Sequence, residues 1–224
     1  HRIGGDAPPF VIAEAGVNHN GDLALARALV DAAAETGAQA VKFQTFKAAQ
    51  IVTADAPKAA YQDTNVGAEI SQHDMLQALE LSHGAHYELR DRAEALGLVF
   101  LSSPFDEESV DLLVEIGVPA LKMPSGELTN LPLLARAAKT GLPLIVSTGM
   151  ATMEEITAAC ATIRNAGDPP FALLHCLSSY PADPAETNLR AMETMRFSLR
   201  AWKCPVGRRQ PDTTLHRFSF FMVS

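Results

Sequence analysis

The segment Phe10-Val-Ile-Ala-Glu-Ala-Gly-Val-Asn-His-Asn-Gly21 passes from apolar and small residues to a carboxylate, Glu14, and then opens at Gly16 into two asparagines and His19. Such a run predicts a buried strand whose carboxyl end hands polar side chains to a loop. The pattern recurs. Later strand-like runs end in Lys42 and Gln44, in Ser102 and Ser103, in Lys122 and Ser125, in Ser147 and Thr148, and in His175. Parallel α/β proteins carry their chemistry at the carboxyl ends of strands, because helices cover the faces. The arrangement predicts an enzyme of that class.

Strand candidates begin near Phe10, Ala40, Leu98, Ala120, Pro143 and Phe171, and all but the second interval between them have the length of one βα unit. Leu25, Leu29 and Ala33 recur at helical spacing before Gly37, and Val110, Leu113 and Val114 do so before Gly117. Thr152, three residues ahead of Glu155, predicts a capping box opening a helix that runs to Ala166. Pro132 suits the first turn of a helix that stops at Gly141. The long second interval holds an insertion, Lys47 to Asp74, which reads as a lid over the strand end that carries Lys42. After a helix through Leu189 and Met195, residues 201–224 show no period and do not read as a further βα pair.

A net charge of −8 with no dense Lys/Arg block excludes a nucleic-acid partner, so an anionic ligand must be held by a few placed cations. Cys160, Cys176 and Cys204 are too few and too scattered for a disulfide framework or a zinc site. No apolar run reaches membrane-spanning length, and His1-Arg-Ile-Gly-Gly-Asp6 lacks the apolar core of a signal peptide. A cytoplasmic protein without a membrane partner is expected.

Lys42 and Lys122 lie inside apolar strands, where lysine is rare unless it is paired or ligand-bound. Three readings stay open. Each lysine pairs with a carboxylate such as Glu14; or the two converge on a carboxylate or phosphate with the hydroxyls of Ser125 and Ser147; or one forms a Schiff base, as in class I aldolases, which borohydride would trap. Glu14 is a candidate base or substrate anchor, and Glu127 is either similar or a helix-capping residue. His175 reads as a hydrogen-bonded core histidine, His19 as a turn residue and Cys176 as packing.

Taken together, Ala13-Glu-Ala-Gly-Val-Asn-His-Asn-Gly21, Val41-Lys-Phe-Gln-Thr-Phe-Lys47, Ser103-Pro-Phe-Asp106, Lys122-Met-Pro-Ser-Gly-Glu127, Ser147-Thr-Gly-Met150 and Leu174-His-Cys176 resemble the sialic acid synthase family in order and spacing. That family makes N-acetylneuraminate or its bacterial relatives legionaminate and pseudaminate. The resemblance implies a (β/α)8 TIM barrel that condenses phosphoenolpyruvate with an open-chain N-acetylmannosamine-type aldehyde and releases phosphate. It implies a divalent metal, manganese or magnesium, that polarises the aldehyde. It assigns phosphoenolpyruvate binding to Lys42, Gln44, Lys122, Ser125, Ser147 and one of the serines at the Ser102–Ser103 strand end, taken as Ser103, sugar binding to Glu127 and Tyr180, and catalysis to Glu14, Lys42 and Lys122.

The chain departs from that pattern near its end. The family's two metal-binding histidines follow Pro-Val-Gly, whereas here Pro205-Val-Gly207 leads into Arg208-Arg-Gln-Pro-Asp-Thr-Thr-Leu215, with threonine in the ligand position. The expected architecture is therefore an incomplete barrel over residues 1–200 with about six βα units. Its last two strands, its metal ligands and the C-terminal antifreeze-like domain, which in the family reaches across a homodimer, are expected to be missing. Residues 201–224 form an aberrant tail, as a frameshift would leave. Impaired synthase activity is expected. The alternatives are a non-catalytic fragment or pseudo-enzyme pairing with a full-length homologue, and a Schiff-base aldolase.

Overall fold

A computed structural model describes residues 8–53, 71–178 and 183–200, with the side chains of residues 196, 197, 199 and 200 outside that description. Strands and helices alternate in the order β1 (Ile12–Gly16), α1 (Leu23–Glu35), β2 (Ala40–Thr45), α2 (Ala48–Ile51), α3 (Gln72–Gln77), α4 (His83–Ala95), β3 (Val99–Pro104), α5 (Glu107–Ile116), β4 (Leu121–Met123), α6 (Leu131–Lys139), β5 (Leu144–Ser147), α7 (Met153–Ala166), β6 (Phe171–Leu174) and α8 (Ala191–Arg200). Every strand falls at its expected place. The described residues fall into two compact units, one within Ile12–Leu121 and one of residues 122–200 with 8–11.

In the first unit β1, β2 and β3 make a sheet in that order, with both pairings parallel. Glu14 stands opposite Lys42, after which the register slips so that Gly16 faces Phe43. Gly16 adopts a positive φ of 53°, which a residue without Cβ takes up readily, and the bulge forms there. Phe43 and Phe100 stack at 5.8 Å on the face that α1, α4 and α5 cover. The buried stripe of α1 is Ala26, Val30 and Ala33, whereas Leu25 is 40% exposed and Leu29 only half-buried. This corrects the expected Leu25–Leu29–Ala33 face. Two alanines let the helix lie close to the sheet, and the bulkier leucines turn to its flank. In α5, Val110, Leu112, Leu113 and Ile116 are buried and Val114 is exposed.

In the second unit β4, β5 and β6 are neighbours in that order, with Leu144–Ser147 parallel to and in register with Phe171–Leu174. Helices α6 and α7 pack against each other, and their buried residues are Leu133, Leu134, Ala137 and Ala138 on one and Ile156, Ala159, Cys160 and Ile163 on the other. Burial pushes the Cys160 thiol up to about 11. The capping box is present: Thr152 Oγ1 accepts from the Glu155 N–H at 3.3 Å, and Glu155 Oε2 accepts from the Thr152 N–H at 2.7 Å. Helix α6 carries Pro132 in its first turn and gives way to Gly141 at φ 75°.

Of the insertion expected at 47–74, α2 and the start of α3 are seen, and residues 54–70 lie outside the described residues. Tyr180 and the segment 201–224 also lie outside them. Among the described residues no helix is long and apolar enough to cross a membrane.

Candidate active site

The first unit brings three of the expected side chains together at the carboxyl ends of its strands. Lys42 is 4% exposed, and its Nζ donates to Glu14 Oε1 at 2.8 Å and to Ser103 Oγ at 3.2 Å. Glu14 Oε2 is also close, 2.6 Å from the same nitrogen, but it makes no hydrogen bond and is itself buried. Both carboxylate oxygens therefore lie against the Lys42 ammonium, one by hydrogen bond and one by ion pairing. Gln44 follows on the same face; a Cβ placed on Gly16 would lie 3.3 Å from Glu14 Oε1 and 3.7 Å from Gln44 Nε2.

The opposite face of β2 and β3 carries a different polar set. Thr45 Oγ1 lies 2.7 Å from Ser102 Oγ and 3.0 Å from His86 Nε2, and His86 Nδ1 lies 2.9 Å from the Ser82 carbonyl. Ser102 therefore faces the helices, and Ser103 is the serine that joins Lys42. Burial, as the main cause, holds the His86 pKa below its ordinary value. The sequence singled out neither Thr45 nor His86. A signal existed, since a histidine in the first turn of an amphipathic helix, spaced four residues from its capping Ser82, can reach back to that carbonyl.

His19 is a turn residue, as expected, but a fully buried one. Its Nδ1 accepts from the Gly21 N–H at 3.0 Å, so its proton resides on Nε2, which has no hydrogen-bond partner among the described residues. The ring lies against Phe43, with centroids 6.0 Å apart, and burial lowers its pKa.

The second unit repeats the lysine–serine pairing. Lys122, 3% exposed, donates from Nζ to Ser147 Oγ at 2.6 Å and to the Met123 carbonyl at 3.3 Å. Strand β4 ends in Pro124 and a 3-10 turn over Ser125–Glu127, with both termini of that turn half-buried. Glu127 Oε2 accepts from Asn130 Nδ2 at 2.8 Å, and Asn130 in turn caps α6. Thr148 Oγ1 donates to the Leu174 carbonyl at 3.0 Å. His175 is half-buried and donates from Nε2 to the Thr187 carbonyl at 2.8 Å. Cys176 is more than packing: its Sγ accepts from the Gly149 N–H at 3.2 Å. A Cβ on Gly149 would come within 2.7 Å of Ser178 Oγ and 3.1 Å of Cys176 Sγ.

The implied divalent metal finds no fit here, because among the described residues no group of three His, Cys, Asp or Glu is placed to hold one. No chemical step is derived through it.

Comparison with known proteins gives a consistent answer. A model described as the NeuB family matches residues 29–208. The chain is 50% identical over 202 residues to the N,N'-diacetyllegionaminic acid synthase of Legionella pneumophila, covering 88% of this chain and 56% of that protein. It is 46% identical to the enzyme of the same name from Campylobacter jejuni, covering 92% and 62%. Among solved structures, the N-acetylneuraminic acid synthetase of Leptospira borgpetersenii aligns with a TM-score of 0.75 at 35% identity, over 88% of this chain and 64% of that one. The chain thus spans somewhat more than half the length of the relatives it matches.

Proposed function

Since the chain belongs to the NeuB family, we propose that it supplies the phosphoenolpyruvate site of a nonulosonate synthase built on a (β/α)8 barrel. The reaction forms a bond from C3 of phosphoenolpyruvate to the aldehyde carbon of an N-acyl hexosamine, adds water at C2 and expels phosphate. Atoms balance as phosphoenolpyruvate plus aldose plus water giving a nine-carbon acid plus phosphate.

One observation carries the reading: a buried lysine within a strand, held between a carboxylate and a serine hydroxyl. Ammonium and hydroxyl donors suit the substrate's phosphate and carboxylate oxygens. In the second unit the Lys122–Ser147 pair offers the same chemistry to an anionic group. The Glu14 carboxylate, held against Lys42, is the group assigned to accept a hydrogen bond at the reacting carbons, from either the attacking water or a sugar hydroxyl. Glu127 and Tyr180 are assigned to the sugar. A homodimer belongs to the same proposal, as does the family's divalent metal, for which the described residues supply no ligand set.

The relatives of highest quoted identity are named for a diacetylated product. Phosphoenolpyruvate contains no nitrogen, so both acetamido groups of such a product come from the sugar. The proposed acceptor is therefore a six-carbon diacetamido aldose rather than N-acetylmannosamine.

Calorimetry with phosphoenolpyruvate tests the site. Each charge-assisted hydrogen bond contributes about 1.5–3 kcal/mol, so Lys42→Ala weakens binding by about ten- to a hundredfold. Equal affinity in the wild type and the variant would sink the assignment. Phosphate release in the presence of manganese, compared for the two sugars, tests the acceptor; faster release with N-acetylmannosamine would overturn it.

A further inference from the structure

The chain of hydroxyls on the outer face of β2 and β3 touches none of the groups assigned to substrate, yet Ser102, His86 and Thr45 are all buried. Its polarity can be worked out bond by bond. The Ser82 carbonyl only accepts, so His86 Nδ1 carries the ring proton. Burial keeps the ring neutral, which leaves Nε2 bare to accept from the Thr45 hydroxyl. Thr45 has then given its only proton, and Ser102 must be the donor to Thr45. All the donors therefore point one way, anchored at the capping residue of α4.

We infer that His86 is a positioning residue: through Thr45 and Ser102 it fixes the ends of β2 and β3 so that Gln44 and Ser103 stand beside Lys42. What Gln44 and Ser103 bind rests on the function proposed above; their placement by His86 does not.

The leverage is short. Thr45 follows Gln44 directly and Ser102 directly precedes Ser103, while Gln44 and Ser103 are partners in the ladder. Side chains alternate along a strand, so the bonded outer pair and the functional inner pair are joined by one peptide on each strand. The neighbouring Phe43–Phe100 stack fills the same layer without direction, and apolar packing of that kind tolerates small slides. A buried chain of hydrogen bonds does not, because leaving one donor or acceptor unmade there costs about 1–3 kcal/mol.

Three variants separate this role from bulk packing. Thr45→Val keeps the shape and removes the hydroxyl. His86→Gln keeps an acceptor near the Nε2 position, and His86→Asn keeps only the group that faces Ser82. The readouts are ring 15N shifts of His86, backbone amide shifts of Gln44 and Ser103, and phosphoenolpyruvate affinity. In the wild type, the ring is protonated on Nδ1. Thr45→Val and His86→Asn move both amides and weaken binding by about tenfold, while His86→Gln stays within about twofold of the wild type. A general packing defect would not divide Gln from Asn in this way. An Nε2-protonated ring, or unmoved Gln44 and Ser103 amides in Thr45→Val, overturns the inference. If Thr45→Val and His86→Asn both move the amides but the wild type itself binds no phosphoenolpyruvate, the positioning role stands and the function proposed for the site is refuted.

Discussion

At the scale of single residues, the structure turns two histidines into reporters of pH. Both His19 and His86 have pKa values below the ordinary 6.5, chiefly through burial, with His83, Lys47 and His19 adding repulsion at His86. The Ser82 carbonyl partly opposes this shift at His86. A base whose folded pKa is depressed takes up its proton more readily when unfolded. Stability is therefore complete above pH 6.5 and is lost as pH falls below it. Each histidine can contribute a slope of at most about 1.4 kcal/mol per pH unit. Urea midpoints should fall between about pH 7.5 and about pH 5.5, and His19→Phe should flatten the decline; an equally steep curve in the variant would assign it to other groups. The sequence made the lysines legible, because a charge within an apolar strand has to be explained. It also allowed that Lys42 pairs with Glu14, which it does. It could not tell Ser102 from Ser103, since two adjacent serines differ only in which face of the sheet they meet. Full burial of His19 was equally illegible, because it depends on Phe43, distant in the chain.

Among elements, strands were easier to place than helix faces. An apolar run bounded by turn residues locates a strand by itself, whereas the buried stripe of a helix depends on how closely the helix lies against its sheet. In α1 the periodicity of leucine pointed to Leu25, and the closer approach chose Ala26 instead. Ala26→Leu should therefore destabilise by about 1–3 kcal/mol through overpacking, and Leu25→Ser should stay within about 0.5 kcal/mol. Chemical denaturation of the two variants checks both, and the reverse ranking would restore the leucine face. The capping box of α7 was legible because its signal is local, two residues at fixed spacing that need no partner elsewhere.

On the scale of the whole molecule, the regular period predicted βα units and parallel strands; the described residues hold six strands, and β1–β2, β2–β3 and β5–β6 pair in parallel. Which strand lies beside which is decided by ladders between segments far apart in sequence, and only the structure supplies the orders β1-β2-β3 and β4-β5-β6. Net charge acts at this scale too. A chain of charge −8 repels an anionic substrate at long range while its placed lysines attract at contact. Raising ionic strength from about 0.01 M to about 0.1 M shortens the screening length from about 30 Å to about 10 Å and should speed phosphoenolpyruvate association. Stopped-flow rates that fall with salt would show that the local cations dominate even at a distance. Gly149 carries a different kind of consequence, one written in the order of mutations. The atoms nearest an added Cβ there belong to the side chains of Ser178 and Cys176. Trimming those side chains relieves the two tightest contacts and leaves the Cys176 carbonyl at 3.3 Å, so the same substitution is more harmful early than late. Relatives that differ at position 149 should carry the record of that sequence of steps at 176 and 178.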